Sequence, residues 1–189
     1  MVKNIMIVGV GGQGTLLASK LLGWVLVNQG YDVKVSEVHG MSQRGGSVVT
    51  YVRFGEKVYS PVIDKGEADV ILSFEKLEAA RWLEYLKPNG KIIVNTQEME
   101  PMPVITGNAE YPSDLIEKMK SAGADVDAQD FLELANKAGS SKAVNIALMG
   151  RLSKSFPEIP EQTWQDAIRA NVPSKFLELN QKAFEYGRC

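Results

Sequence analysis

Apolar residues along this chain arrive in two rhythms, and the switches between them divide it into alternating strands and helices. Residues 4–9 form a short apolar run, the pattern of a parallel strand covered on both faces, and glycines stop it abruptly. From Gln13 the period becomes helical. Leu16, Leu17, Leu21, Trp24, Val25 and Asn28 fall near one spacing, so a helix is predicted to about Gln29, where Gly30 ends it. Residues 31–36 then read as a second strand. Strand, glycine turn, helix and strand open a βαβ unit.

Further on, Ser47 to Phe54 alternates β-branched and aromatic residues, Gly55-Glu56 follows, and Lys57-Val58-Tyr59-Ser60 is expected to return as the second arm of a hairpin. Residues 69–73 are a buried strand, 75–85 a helix, Pro88-Asn89-Gly90 a turn and 91–95 the next strand. Pro101, Pro103 and Pro112 break the segment 96–112, which is expected to be an extended excursion without a helix. A helix over 113–122, a brief strand at 124–127 and a helix capped by Asp130 come next. Helices over 141–155, 161–170 and 174–186 complete the chain. The prediction is an α/β fold: a Rossmann-like three-layer sandwich with a mostly parallel sheet, an inserted β-hairpin and a helical C-terminal segment, in one domain spanning residues 1–189.

Composition narrows the function. With 189 residues, 44% of them hydrophobic, the chain is long enough for one substantial core. A net charge of −2 with scattered basic residues gives no field for nucleic acid or for an acidic membrane surface. No apolar run reaches membrane-spanning length, and the N-terminal residues lack the pattern of a secretory signal, so a cytoplasmic setting is expected. The one cysteine, Cys189, allows neither an internal disulfide nor a cysteine-ligated iron–sulfur cluster built by this chain alone, and no metal ligands are assigned.

Two loops carry the candidate chemistry. In Gly9-Val10-Gly11-Gly12-Gln13-Gly14 the glycines permit a tight turn, close backbone approach to a pyrophosphate and helix-on-strand packing, while the following helix N terminus offers free N–H groups to an anion. The second loop, Ser36-Glu37-Val38-His39-Gly40-Met41-Ser42-Gln43-Arg44-Gly45-Gly46-Ser47, follows strand two and so falls on the same carboxyl edge. Glu37 stands where a dinucleotide fold would place the acid that holds the ribose, about 20 residues past the glycines. His39, the only histidine, could move a proton, position a ligand or simply order the loop. Arg44 has the donor fork for a carboxylate or phosphate, and Gly40, Gly45 and Gly46 leave room for that group. Cofactor or ligand contact is therefore assigned to Gly9, Gly11, Gly12, Gln13, Gly14, Glu37, Gly40, Ser42, Gln43, Arg44, Gly45 and Gly46, and catalysis to His39.

These two loops resemble the small (beta or gamma) subunit of 2-oxoacid:ferredoxin oxidoreductases, nearest to the indolepyruvate enzymes. Asn145-Ile146-Ala147-Leu148-Met149-Gly150 and the run Asn180 to Gly187 look like later signatures of the same family. The resemblance implies oxidative decarboxylation of a 2-oxoacid with coenzyme A to an acyl-CoA, carbon dioxide and reduced ferredoxin. It also implies a larger alpha subunit carrying thiamine diphosphate, magnesium and the iron–sulfur clusters, since this chain shows no Gly-Asp-Gly…Asn magnesium-diphosphate motif. Pyruvate, 2-oxoisovalerate or 2-oxoglutarate as substrate, a free-standing NAD(P)-binding Rossmann protein, and a nucleotide or CoA sensor stay open as alternatives.

Overall fold

From Asn4 to Val10 every residue of strand β1 (Lys3–Val10) is buried, because its two faces serve two separate cores. Ile5 and Ile7 point to one side, with Leu21, Leu22 and Val25 of helix α1 (Thr15–Asn28). Met6 and Val8 point to the other, with Ala79 of α2 (Lys76–Arg81) and Met119 of α4 (Leu115–Ser121). The computed structural model describes residues 1–37 and 45–189.

Among the described residues one sheet of six strands runs in the order β2-β3-β1-β4-β5-β6. The strands are β2 (Asp32–Glu37), β3 (Ser47–Gly55), β4 (Ala68–Ser73), β5 (Leu86–Asn95) and β6 (Asp125–Gln129), with β1 near the centre. β3 alone is antiparallel, to β1 and β2, while β1, β4, β5 and β6 pair in parallel. Helices cover both faces, giving the expected three-layer α/β sandwich. The first core continues through α5 (Phe131–Ala138), α6 (Val144–Ser153), α7 (Glu161–Asn171) and α8 (Leu177–Arg188), which form the helical C-terminal part. No helix of the described residues is long and apolar enough to cross a membrane.

The hairpin forms with a different partner from the one expected. Residues 57–60 make no strand; β3 instead inserts between β1 and β2, pairing Val10 with Ser47 and Glu37 with Thr50. Val48, Val49, Val52 and Phe54 are buried, more than a two-stranded surface hairpin could cover. Polar contacts hold the following segment off the sheet: Val58 N donates to Asp32 Oδ2 at 2.9 Å, and Arg53 Nη1 donates to Val62 O at 2.8 Å. The segment 96–112 also departs from expectation, since residues Met102–Ile105 form one helical turn, α3. Pro101 caps it and Pro103 lies in its first turn, where a missing N–H breaks no helical bond.

α6 and α8 cross at backbone contact. A methyl placed on Gly150 would lie 2.1 Å from Phe184 O, and one on Gly187 would lie 1.9 Å from Ala147 O. These two glycines account for the two late signatures in the sequence, because only glycine allows so close a crossing.

Candidate functional site

The carboxyl edge of the sheet gathers the glycine turn, the end of β2 and the start of β3. Gly12 (φ 101°) and Gly14 (φ 88°) take left-handed conformations that turn the chain from β1 into α1. Gly9 is required for a different reason: a Cβ there would sit 2.9 Å from Gln13 Oε1 and 3.0 Å from Phe74 Cβ. Gln13 folds inward beneath the turn. Its Oε1 accepts from Val10 N at 2.8 Å and its Nε2 donates to Phe74 O at 3.2 Å, so the amide straps β1 to the end of β4.

Gly11 and the Gly45-Gly46 pair meet through the backbone, with Gly11 N donating to Gly46 O at 2.8 Å and Gly45 N to Gly11 O at 3.3 Å. This reciprocal pair brings together two glycine segments more than thirty residues apart in sequence. A cavity of about 280 Å³ opens beside it, lined by Gly11, Gly12, Gly14, Thr15, Leu16, Glu37 and Thr50. Among the described residues no side chain caps the N terminus of α1, and its first turn holds no acid, so the partial positive charge of the helix faces this space. The Glu37 carboxylate accepts from Ser19 Oγ at 2.6 Å and is held toward α1. The lining suits a ligand fragment that brings an oxyanion to the helix and hydroxyl or amine donors to Glu37. His39, Gly40, Ser42, Gln43 and Arg44 lie outside the described residues.

Sequence reading missed a buried acidic pair that supports this edge. Glu75 and Glu78, 1% and 4% exposed, follow β4 in Ser73-Phe74-Glu75-Lys76-Leu77-Glu78. Glu75 caps α2 by accepting from Glu78 N at 2.9 Å, and its other oxygen accepts from Met99 N at 3.3 Å and from the Tyr111 hydroxyl. Burial first, and then the Glu75 carboxylate, push the Tyr111 hydroxyl's pKa upward, so it stays a donor. Glu78 accepts from Ser47 Oγ, the first residue of β3, and lies 3.3 Å from Arg81 Nε. Its pKa is raised by burial, against the opposing effects of Ser47 and Arg81. Glu78 thereby anchors the first residue of the strand that follows Gly45-Gly46. The available signal was two acids three apart just after a buried strand, which by pattern alone reads as a helix start. Asn145, singled out in the sequence, packs beneath the turn: a methyl on Gly14 would stand 3.0 Å from its Nδ2.

A family model described as pyruvate ferredoxin/flavodoxin oxidoreductase matches residues 4–189. The chain belongs to this family. It is 46% identical to the indolepyruvate oxidoreductase subunit IorB of Thermococcus kodakarensis, over 97% of this chain and 93% of that one. The like-named subunit of Archaeoglobus fulgidus is 39% identical over 97% of this chain and 92% of its own. Among solved structures, the fold is similar to pyruvate oxidoreductase subunit PORC of Thermotoga maritima, with a TM-score of 0.76 at 18% identity and 99% and 95% of the two chains covered. It is similar also to the 2-oxoglutarate:ferredoxin oxidoreductase of Magnetococcus marinus, with a TM-score of 0.75 at 20% identity. There the match spans 99% of this chain but 30% of the other, so the same fold recurs as one part of a longer polypeptide.

For this family member the donor set can be tested against the cofactors that such enzymes imply. No group of three or more His, Cys, Asp or Glu among the described residues is placed to hold a metal ion. The one cysteine, Cys189, is exposed, whereas an iron–sulfur cluster takes about four thiolates. A single exposed thiol does not fit a cluster.

Proposed function

We propose that this chain is the small subunit of a heteromeric indolepyruvate:ferredoxin oxidoreductase, which converts an aryl 2-oxoacid and coenzyme A to acyl-CoA and carbon dioxide and passes the electrons to ferredoxin. The observation that carries this reading is the 46% identity, nearly end to end, with an indolepyruvate oxidoreductase subunit. A larger partner subunit supplies thiamine diphosphate, magnesium and the iron–sulfur clusters, which is consistent with a single cysteine here. This chain contributes the glycine turn and the N terminus of α1, turned toward the partner's thiamine site or the incoming coenzyme A. The oxyanion-favouring helix end and the Glu37 carboxylate in one cavity support contact with a polyanionic, hydroxyl-bearing cosubstrate. His39 is the residue proposed to position a ligand or move a proton.

The test is an anaerobic pull-down of the tagged chain from its host, with mass spectrometry and iron analysis of what co-elutes, followed by dye reduction with indolepyruvate and coenzyme A. A large, iron-containing, thiamine-binding partner with 2-oxoacid-dependent reduction supports the reading. Recovery of the chain alone with bound NAD(P) and no iron overturns it.

A further inference from the structure

One buried carboxylate at the carboxyl edge ties two limbs of the chain together. Glu75, 1% exposed, accepts from Met99 N at 3.3 Å and from the Tyr111 hydroxyl, so it clasps both ends of the segment 99–111. Lys76 fastens the entering limb again, its N–H donating to Gln97 O at 3.3 Å and its ammonium pairing with Glu98. Between the clasped ends the segment is bonded to itself. Thr106 Oγ1 donates to Met102 O at 2.9 Å, and Asn108 N and Ala109 N both donate to Pro103 O, at 2.8 and 3.0 Å. Pro101 and Pro103 restrict the backbone further. The loop is held in one shape before anything meets it.

That shape presents apolar side chains to water. Met102 and Ile105, three apart on the single turn α3, share a face and are 65% and 61% exposed. Beside them a cleft of about 460 Å³, walled by Val10, Leu77, Met99 and Pro101, runs up to Gly45 and Gly46. The segment is also acidic, since Glu98, Glu100, Glu110 and Asp114 fall between Lys91 and Lys118 with no Lys or Arg among them. Lys76 answers Glu98, whereas Glu100, Glu110 and Asp114 are exposed and have no cationic partner among the described residues.

Apolar groups on a preorganised loop lose little freedom when they are covered, which suits them to a contact surface. The charge selects what covers them. A second copy of this chain would set its own acids against these, and an anionic membrane would be repelled likewise. The occupant that fits surrounds an apolar protrusion with lysine or arginine. Position narrows it further: Gly46 and Gly45 are bonded through the backbone to Gly11, and Leu16, 51% exposed, continues the apolar surface beside the first cavity. This is the edge that the proposed function turns toward the larger subunit.

We infer that the 99–111 loop and its cleft are where the larger subunit of the oxidoreductase docks, with an apolar side chain of that subunit entering the cleft against Met102 and Ile105 and basic side chains around it meeting Glu100 and Glu110. The inference rests on the function proposed above and adds to it the surface by which the larger subunit is held.

The experiment measures how much larger subunit the tagged chain retains when the two are co-expressed and purified anaerobically, at about 0.1 M and about 0.5 M salt, with circular dichroism to confirm folding of every variant. Met102→Asp with Ile105→Asp changes two side chains outside the core and should lower retention at least about tenfold. Glu100→Lys with Glu110→Lys should lower it about three- to tenfold at the lower salt and less at the higher, where screening weakens the repulsion. Val27→Asp makes the same chemical change on a side chain 58% exposed near the far end of α1, and should retain as much as wild type. Unchanged retention by the Met102→Asp, Ile105→Asp chain, or an equal loss with Val27→Asp, overturns the inference and leaves the proposed function standing. A wild-type chain that retains no larger subunit overturns the proposed function and the inference with it. Dimerisation of the purified wild-type chain, read by sedimentation and lost in the Met102→Asp, Ile105→Asp chain, would put a second copy on this surface and so refute the docking of the larger subunit there.

Discussion

Replacing Gly187 by alanine tests the helix crossing that closes the C-terminal core. The added methyl would stand 1.9 Å from Ala147 O, where real contacts essentially never fall below 3.0 Å. The obstacle is backbone and cannot rotate away, so α8 must move off α6 by about 1 Å, opening the packing beside Phe184 and Leu152. Overpacking of this kind costs about 1–3 kcal/mol, and more where backbone must shift. Alanine returns about 1 kcal/mol of helix propensity. With the cost at its upper end of about 3 kcal/mol or more, because backbone and not a side chain must shift, the net expectation is a loss of about 2 kcal/mol or more, which lowers Tm by about 4–8 °C for a chain of this length. Urea unfolding should show a lower midpoint at unchanged slope. Gly23→Ala on α1 is the control, because its methyl would meet nothing within 4 Å and should stabilise by about 0.5–1 kcal/mol. If Gly187→Ala is as stable as Gly23→Ala, the close crossing is not what fixes this glycine.

Gln13→Ala removes the strap between Val10 N and Phe74 O and should cost about 1–3 kcal/mol, read by urea unfolding. Asn95→Leu deprives the buried Phe131 N–H of its acceptor, now at 3.0 Å, and should also cost about 1–3 kcal/mol, with faster hydrogen exchange at the start of α5. Glu78→Gln tests the buried acid. Because its folded pKa is raised, the wild-type carboxyl contributes stability below its unfolded value that is lost as pH rises through the folded one. The stability of the Gln variant relative to wild type should therefore increase from pH 4.5 to pH 7.5, and a flat difference would contradict burial as the dominant influence.

The chain's sequence by itself determined what depends on neighbours a few residues apart. β1, the glycine turn and α1 are legible because steric freedom at glycine and a change of apolar period are local properties. The Asp130 cap is legible for the same reason, and the structure finds its Oδ1 accepting from Glu133 N at 2.8 Å. The single cysteine was equally plain.

Only the tertiary structure decided which strands neighbour which. β3 was read correctly as a strand, but its own residues do not encode its partners; the burial of both its faces was satisfied between β1 and β2. Gln13 was legible as part of the turn, whereas its inward role depends on Phe74, which β4 brings to it across 61 residues. The acids Glu75 and Glu78 looked like a helix start until Ser47, Met99 and Tyr111 arrived around them. Gly150 and Gly187 stood in visible signatures, but their purpose lies in the carbonyl of the opposing helix. Local sterics and hydrogen bonding fix the elements, whereas contacts between residues distant in the chain fix what each side chain is for.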